Sequence, residues 1–163
     1  MSIQICRKLK DFFFPERGND NYSRSTAPVD SLLGAYELIS KLANQIESHA
    51  GRAPYPHVAQ QLRRIAAEKH DSARKIKSMI EDLGEQMEPI TNEPAPGKNH
   101  WERLNVDLQN QMKLDNFLVG LESNAGEIPQ LAEILQELKI GQKSHRRSLT
   151  SLLALADPQA NQT

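Results

Sequence analysis

The sequence predicts an all-α protein, a bundle of four long helices preceded by a short amphipathic arm, and three observations lead there. A chain of 163 residues, 38% hydrophobic and 25% charged, has enough apolar material for one domain with a single sizeable core. Only 5% of residues are aromatic, and Leu, Ala, Gln, Glu and Lys dominate where β-branched runs would be needed for strands. Glycine and proline gather at a few points and leave four long uninterrupted segments between them.

The arm comes first. Ile5, Cys6, Leu9, Phe12 and Phe13 share one face of a short helix, with Arg7, Lys8, Lys10 and Asp11 on the other. Pro15 ends it, and the polar run from Glu16 to Pro28 reads as a linker. Helix one is capped by Asp30 or Ser31, whose side chains can accept a bond from a free backbone N–H, and it ends at Gly51, ahead of Pro54 and Pro56. Helix two runs from about His57 to Leu83, because Gly84 is a natural stop and Pro89, Pro94 and Pro96 follow. Helix three begins near Asn99 and fades around Ser123, Asn124 and Gly126. Helix four starts close to Pro129, which a first turn tolerates because the missing N–H would be unpaired there, and stops before Pro158. The domain organisation is thus residues 1–28 as arm and linker, 29–157 as bundle and 158–163 as tail.

Each helix carries one apolar stripe at 100° spacing, the pattern of a bundle helix with one face in a shared core. Helix one offers Leu32, Ala35, Ile39, Leu42 and Ile46. On helix two, Val58, Leu62 and Ile65 lead to Lys69 and Ser72 before Ile76, Ile80 and Leu83 resume. On helix three, Trp101, Leu104 and Leu108 give way to Gln111 and Asp115, then Leu118 and Val119. On helix four, Leu131, Ile134 and Leu138 give way to Gln142 and His145, then Leu149, Leu152 and Leu153. Three stripes turn polar at mid-length, which calls for mutual pairing, because an unpaired buried polar group costs roughly 1–3 kcal/mol.

The turns near Gly51 and Gly126 are short and make helices one and two, and three and four, antiparallel neighbours. The middle connection is long. A helix of about 27 residues rises ~40 Å, and about 14 linker residues can extend to ~50 Å, enough to travel back along the bundle.

With two helix pairs, a long middle connection, and the segments IAAEKHDSARKIKSMIEDLG and LQELKIGQKSHRRSLTSLL, the stretch from Asp30 to Ala156 resembles the ferritin-like superfamily, rubrerythrin-like members in particular. The resemblance implies a crossover between helices two and three, and a site where two helices each give a Glu and two each give a Glu-x-x-His to hold two metal ions. On those positions this chain has Lys69 for Glu, Ser72 for His and Gln142 for Glu, and it keeps His145. Helix three offers Gln111 or Asp115 for its Glu. Helix one offers nothing, since Glu37 points almost opposite its stripe, Glu47 lies at the margin, and the inward positions are apolar. The expectation is a degenerate site. Lys69 either replaces the lost cations by pairing with Asp115 or buries only its stem and reaches water with its head. His145 is either a hydrogen-bonded core histidine or, with Asp115, a ligand of iron or another transition metal. Glu68, His70 and Asp71 fan around the outer face of helix two, beside Arg64 and Lys75.

Composition narrows function by exclusion. A net charge of −1 lacks the surplus of Lys and Arg that phosphate contacts need, so no nucleic-acid partner is expected. There is no glycine-rich phosphate loop, nucleophile elbow or zinc-type spacing, and no enzyme is expected. The lone Cys6 suits a reducing compartment, and no membrane span or signal peptide is apparent, which makes the cytoplasm the expected location. The arm either docks on a partner, lies on an anionic membrane surface, or folds back on its own bundle. The expected function is a non-catalytic protein-binding or assembly module, self-associating or joined to another protein, without cofactor. A ferritin-like protein that oxidises or stores iron is the alternative, and a peripheral membrane protein using the arm is the third reading.

Overall fold

The computed structural model describes residues 27–93, 97–124 and 129–156, so the arm lies outside the described residues. Among the described residues four helices form: α1 (Ala27–Ala50), α2 (Pro56–Asp82), α3 (His100–Asn124) and α4 (Pro129–Leu155). No strand occurs among the described residues. The protein is an all-α bundle.

The helix ends follow local chemistry. α1 begins at Ala27, before the expected caps Asp30 and Ser31, so that Pro28 falls in a first turn where its missing N–H breaks no bond. Pro56 does the same for α2. That helix closes on Gly84, whose φ of +96° suits a residue without Cβ, and Glu85 N donates back to Ile80 O at 3.3 Å. Asn99 caps α3: its Oδ1 accepts from Glu102 N at 2.8 Å, while Glu102 Oε2 accepts from Lys98 N at 2.8 Å.

α1 packs on α2 and on α3, α3 packs on α4, and α4 touches α2 only thinly. A ring contact from Phe117 lies over Gly34, and Asp107 bonds His49, so the α1–α3 pairings run in opposite senses along the two helices. In the connection after α2, Ile90 and Asn92 lie against α1. Asn44 Nδ2 donates to Ile90 O at 3.2 Å and to Asn92 Oδ1 at 3.1 Å, and Asn92 Nδ2 donates to Lys41 O at 3.3 Å. At the far end, Arg103 Nη1 donates to Gly97 O at 3.2 Å and its Nη2 to Arg52 O at 3.3 Å, tying the start of α3 to the α1–α2 turn.

The shared core contains the expected positions of α1, all buried, and most of those on α2 and α4. α3 differs. Leu104, Asp107, Gln111, Leu114, Leu118 and Leu121 are its buried face, while Trp101 and Leu108 are only half-buried and Val119 is 52% exposed. On α4, Leu135 is buried and Ile134 and Leu153 lie at the edge. The cause is the position of α3 in the bundle: it faces α1 as well as α4, which turns its buried arc toward Asp107 and Leu114 and away from Leu108 and Val119.

Candidate polar site in the bundle interior

Mid-length polarity on three helices converges on Lys69. The side chain has no exposed surface, and Nζ donates to Gln111 Oε1 and to Gln142 Oε1, each at 2.5 Å. Lys69 therefore does not carry its head to water. Nor does it bond Asp115 directly. Gln111 stands between them, its Oε1 accepting a hydrogen bond from Lys69 and its Nε2 donating one to Asp115 Oδ1 at 2.8 Å. An amide has one accepting and one donating end, so it can connect a cation to a carboxylate that the cation does not touch.

Burial draws the Lys69 ammonium down from 10.5 to about 7, against the opposing pull of Asp115, Asp107 and Glu68. His145 lies beside it, 3% exposed, with Nδ1 3.4 Å from Gln142 Oε1 and Nε2 2.8 Å from Glu68 Oε2. Burial and then the Lys69 charge push the imidazole below its usual value, and the His145 hydrogen bond holds Glu68 below the usual carboxylate range. Glu68 also accepts from Arg64 Nε at 2.9 Å. The pair opens onto a groove of about 150 Å³ between α2 and α4, lined by Gln61, Arg64, Ile65, Glu68, Ser144, His145 and Ser148.

Of the six residues expected in one layer, Lys69, Gln111, Gln142, His145 and Asp115 are linked, and Ser72 stands apart. Its hydroxyl donates to Glu68 O at 3.0 Å, a bond one turn back along its own helix, and the side chain is only half-buried. Ser72 is too short to reach across the bundle. Asp115 sits at the rim, and Arg146 Nη1 lies 3.2 Å from its Oδ2.

Glu68 keeps its expected outer-face neighbour Arg64 and reaches His145 as well. The expectations for His70 and Asp71 need only new partners: His70 Nε2 lies 3.2 Å from Glu47 Oε2, and Asp71 pairs with Arg74.

A second buried polar cluster lies toward the α1–α2 turn, where the inward positions of α1 were expected to be apolar. Gln45 and His49 are buried there, and with them Asp107, which has no exposed surface. Gln45 Nε2 donates to Asp107 Oδ1 at 2.6 Å, His49 Nδ1 lies 2.9 Å from both carboxylate oxygens, and Asn110 Nδ2 donates to Gln45 Oε1 at 3.1 Å. The signal was present in the sequence. Gln45 and His49 are four residues apart, one turn of α1, and Asp107 and Asn110 are three apart on α3.

Among the described residues, no group of three or more His, Cys, Asp or Glu side chains is placed to hold one metal ion. No protein-family model matches the chain, and no curated protein matches it.

Proposed function

We propose that the protein is a non-catalytic ferritin-like bundle acting as a protein-binding or assembly module, its metal-ligand positions taken by Lys69, Ser72 and Gln142. The observation that carries this reading is the Lys69 ammonium itself, enclosed at mid-bundle with two amide oxygens at 2.5 Å. A divalent or trivalent ion needs several anionic oxygens or imidazoles. The layer offers two neutral amides, a cation, an imidazole committed to Glu68, and one rim carboxylate shared by Gln111 and Arg146. These residues do not fit a di-metal centre. The ammonium supplies instead one positive charge on which the side chains of α3 and α4 converge.

The connectivity supports the ferritin-like reading. With Asn44 and Asn92 joining the middle connection to α1, and Arg103 joined to the α1–α2 turn, the chain returns along the bundle before α3 begins. On the ferritin-like reading α2 and α3 run parallel. For binding, α3 carries Met112 and Val119, 50% and 52% exposed and seven residues apart, two turns along one side. The arm is the second proposed contact, to a protein or to an anionic membrane surface.

Metal analysis of protein purified from iron-supplemented cells tests the reading, together with light scattering across a concentration series. The expected result is less than one-tenth equivalent of transition metal, with reversible association or a stoichiometric protein complex. One or two tightly held ions per chain would overturn it in favour of iron oxidation or storage.

A further inference from the structure

α3 carries two apolar stripes, and the described bundle covers only one of them. Leu104, Leu114, Leu118 and Leu121 enter the core, while Trp101, Leu108, Met112 and Val119 fall within about 40° of one another on a separate arc of the helix. Trp101 and Leu108 are half-buried, and Met112 and Val119 stay 50% and 52% exposed. Two ion pairs fix where that arc meets α4: Asp115 with Arg146, and Glu122 with Lys139. Val119 lies one turn from each of those carboxylates, and Lys143 lies one turn from each of those cations. Both therefore belong to the interval between the two pairs. Ile140, 66% exposed, precedes Lys143 by one turn on α4, and the exposed Arg147 follows it by one.

The charge along this seam is one-sided. From 138 to 155, α4 has Lys139, Lys143, Arg146 and Arg147 and neither Asp nor Glu, in a chain whose net charge is −1. α3 answers Lys139 and Arg146, whereas Lys143 and Arg147 have no ion-pair partner among the described residues. Apolar surface bordered by unanswered cations complements apolar surface bordered by carboxylates. That sign excludes two occupants from this chain itself. The arm has Arg7, Lys8 and Lys10 against Asp11 alone, the same sign as the seam. A second copy meeting this face across a two-fold axis would set one cationic border against another. An anionic bilayer has the right sign, but it takes up a single helix with a continuous apolar face. Here the exposed apolar side chains stand on either side of a seam, Met112 and Val119 on α3 and Ile140 on α4, which is the form that receives a third helix. Met112 and Val119 are also seven residues apart, the spacing of anchors along such a helix, and an unbranched methionine adapts to the side chain it meets.

We propose that the outer α3–α4 seam is the docking site for an acidic amphipathic helix of a second protein. Met112, Val119 and Ile140 take its apolar stripe, and Lys143 and Arg147 pair with its flanking carboxylates. This partner class deepens the protein-binding reading above and rests on it.

A displayed library of peptides about 16 residues long tests the proposal, with leucines fixed at helical spacing and every other position drawn equally from Glu, Lys, Gln and Ala. Selection against the full-length protein should enrich peptides rich in Glu and poor in Lys. A synthetic copy of the most enriched peptide, followed by fluorescence anisotropy, should bind at least about tenfold more weakly to Val119→Asp and to the double variant Lys143→Glu/Arg147→Glu. The double variant changes only exposed side chains, so it decides the matter where Val119→Asp does not fold. No enrichment, enrichment without preference for Glu, or a peptide that binds both variants as it binds the parent would each overturn the proposal. So would cosedimentation with phosphatidylglycerol vesicles that both variants lose, in the absence of peptide enrichment, which would assign the face to a membrane. Metal content and light scattering are measured without peptide, so the non-catalytic reading stands or falls on them separately.

Discussion

A lysine with no exposed surface makes stability depend on pH in a direction that can be worked out. The ordinary value for the unfolded chain is 10.5 and the folded value is about 7, so between these limits the unfolded state binds more protons. Stability rises with pH across that window. The cost of enclosing the charge is fully present below pH 7 and relieved above 10.5, a span of ~5 kcal/mol at about 1.4 kcal/mol per pH unit. Urea unfolding at several pH values should show the rise, and Lys69→Met should flatten it. At the second cluster, Asp107→Ala takes away the acceptor shared by Gln45 Nε2 and His49 Nδ1, and the expected loss is ~2–4 kcal/mol. The same measurement on Glu137→Ala, whose carboxylate meets Lys75 at an exposed seam, should show a loss below about 1 kcal/mol.

At the scale of the elements, glycines separate packed from open surface. A Cβ on Gly97 would lie 2.5 Å from Arg103 Cγ and 3.0 Å from its backbone N, and a helix backbone cannot yield as a side chain does. Gly97→Ala should loosen the junction between the middle connection and α3, with a loss of roughly 1–3 kcal/mol in thermal or urea unfolding. Gly120 and Gly141 lie inside α3 and α4, and a Cβ there meets nothing within 4 Å. Gly120→Ala and Gly141→Ala should each raise stability by roughly 0.5–1 kcal/mol, because alanine loses less backbone freedom on entering a helix.

Across the whole molecule, the proposed loss of metal chemistry can be reversed. Replacing Lys69 and Gln142 by Glu, replacing Ser72 by His, and placing a Glu on the inner face of α1 should create an affinity for zinc or iron that calorimetry detects. The parent should show none in that layer. Removing residues 1–14 tests the arm: helicity and thermal midpoint should stay nearly unchanged, while self-association, partner binding or flotation with anionic vesicles is lost. A fall of many degrees in the midpoint with no change in those assays would assign the arm to the core instead.

What the sequence determined by itself was the class of fold and the content of the helices. Four single-stripe segments separated by Gly and Pro admit no other economical structure, and the buried faces of α1 and α2 lie where 100° spacing puts them. It also brought Lys69, Gln111, Gln142 and His145 to one level, since a stripe interrupted on three helices has to be paired across them. The tertiary structure decided the rest. Hydrophobicity ranks residues one at a time, so Leu108 was read on the stripe of α3 where Asp107 is buried, and Gln45 and His49 were not read on the stripe of α1 at all. They are inside because α1 and α3 pack together and each supplies what the other's polar groups need. Ser72 shows the converse, a residue on the right stripe whose side chain is too short to cross the interior, so that its nearest acceptor is its own helix. Helical spacing reports direction from one axis; reach and partnership depend on the distance to the next, and only the packed bundle contains that distance.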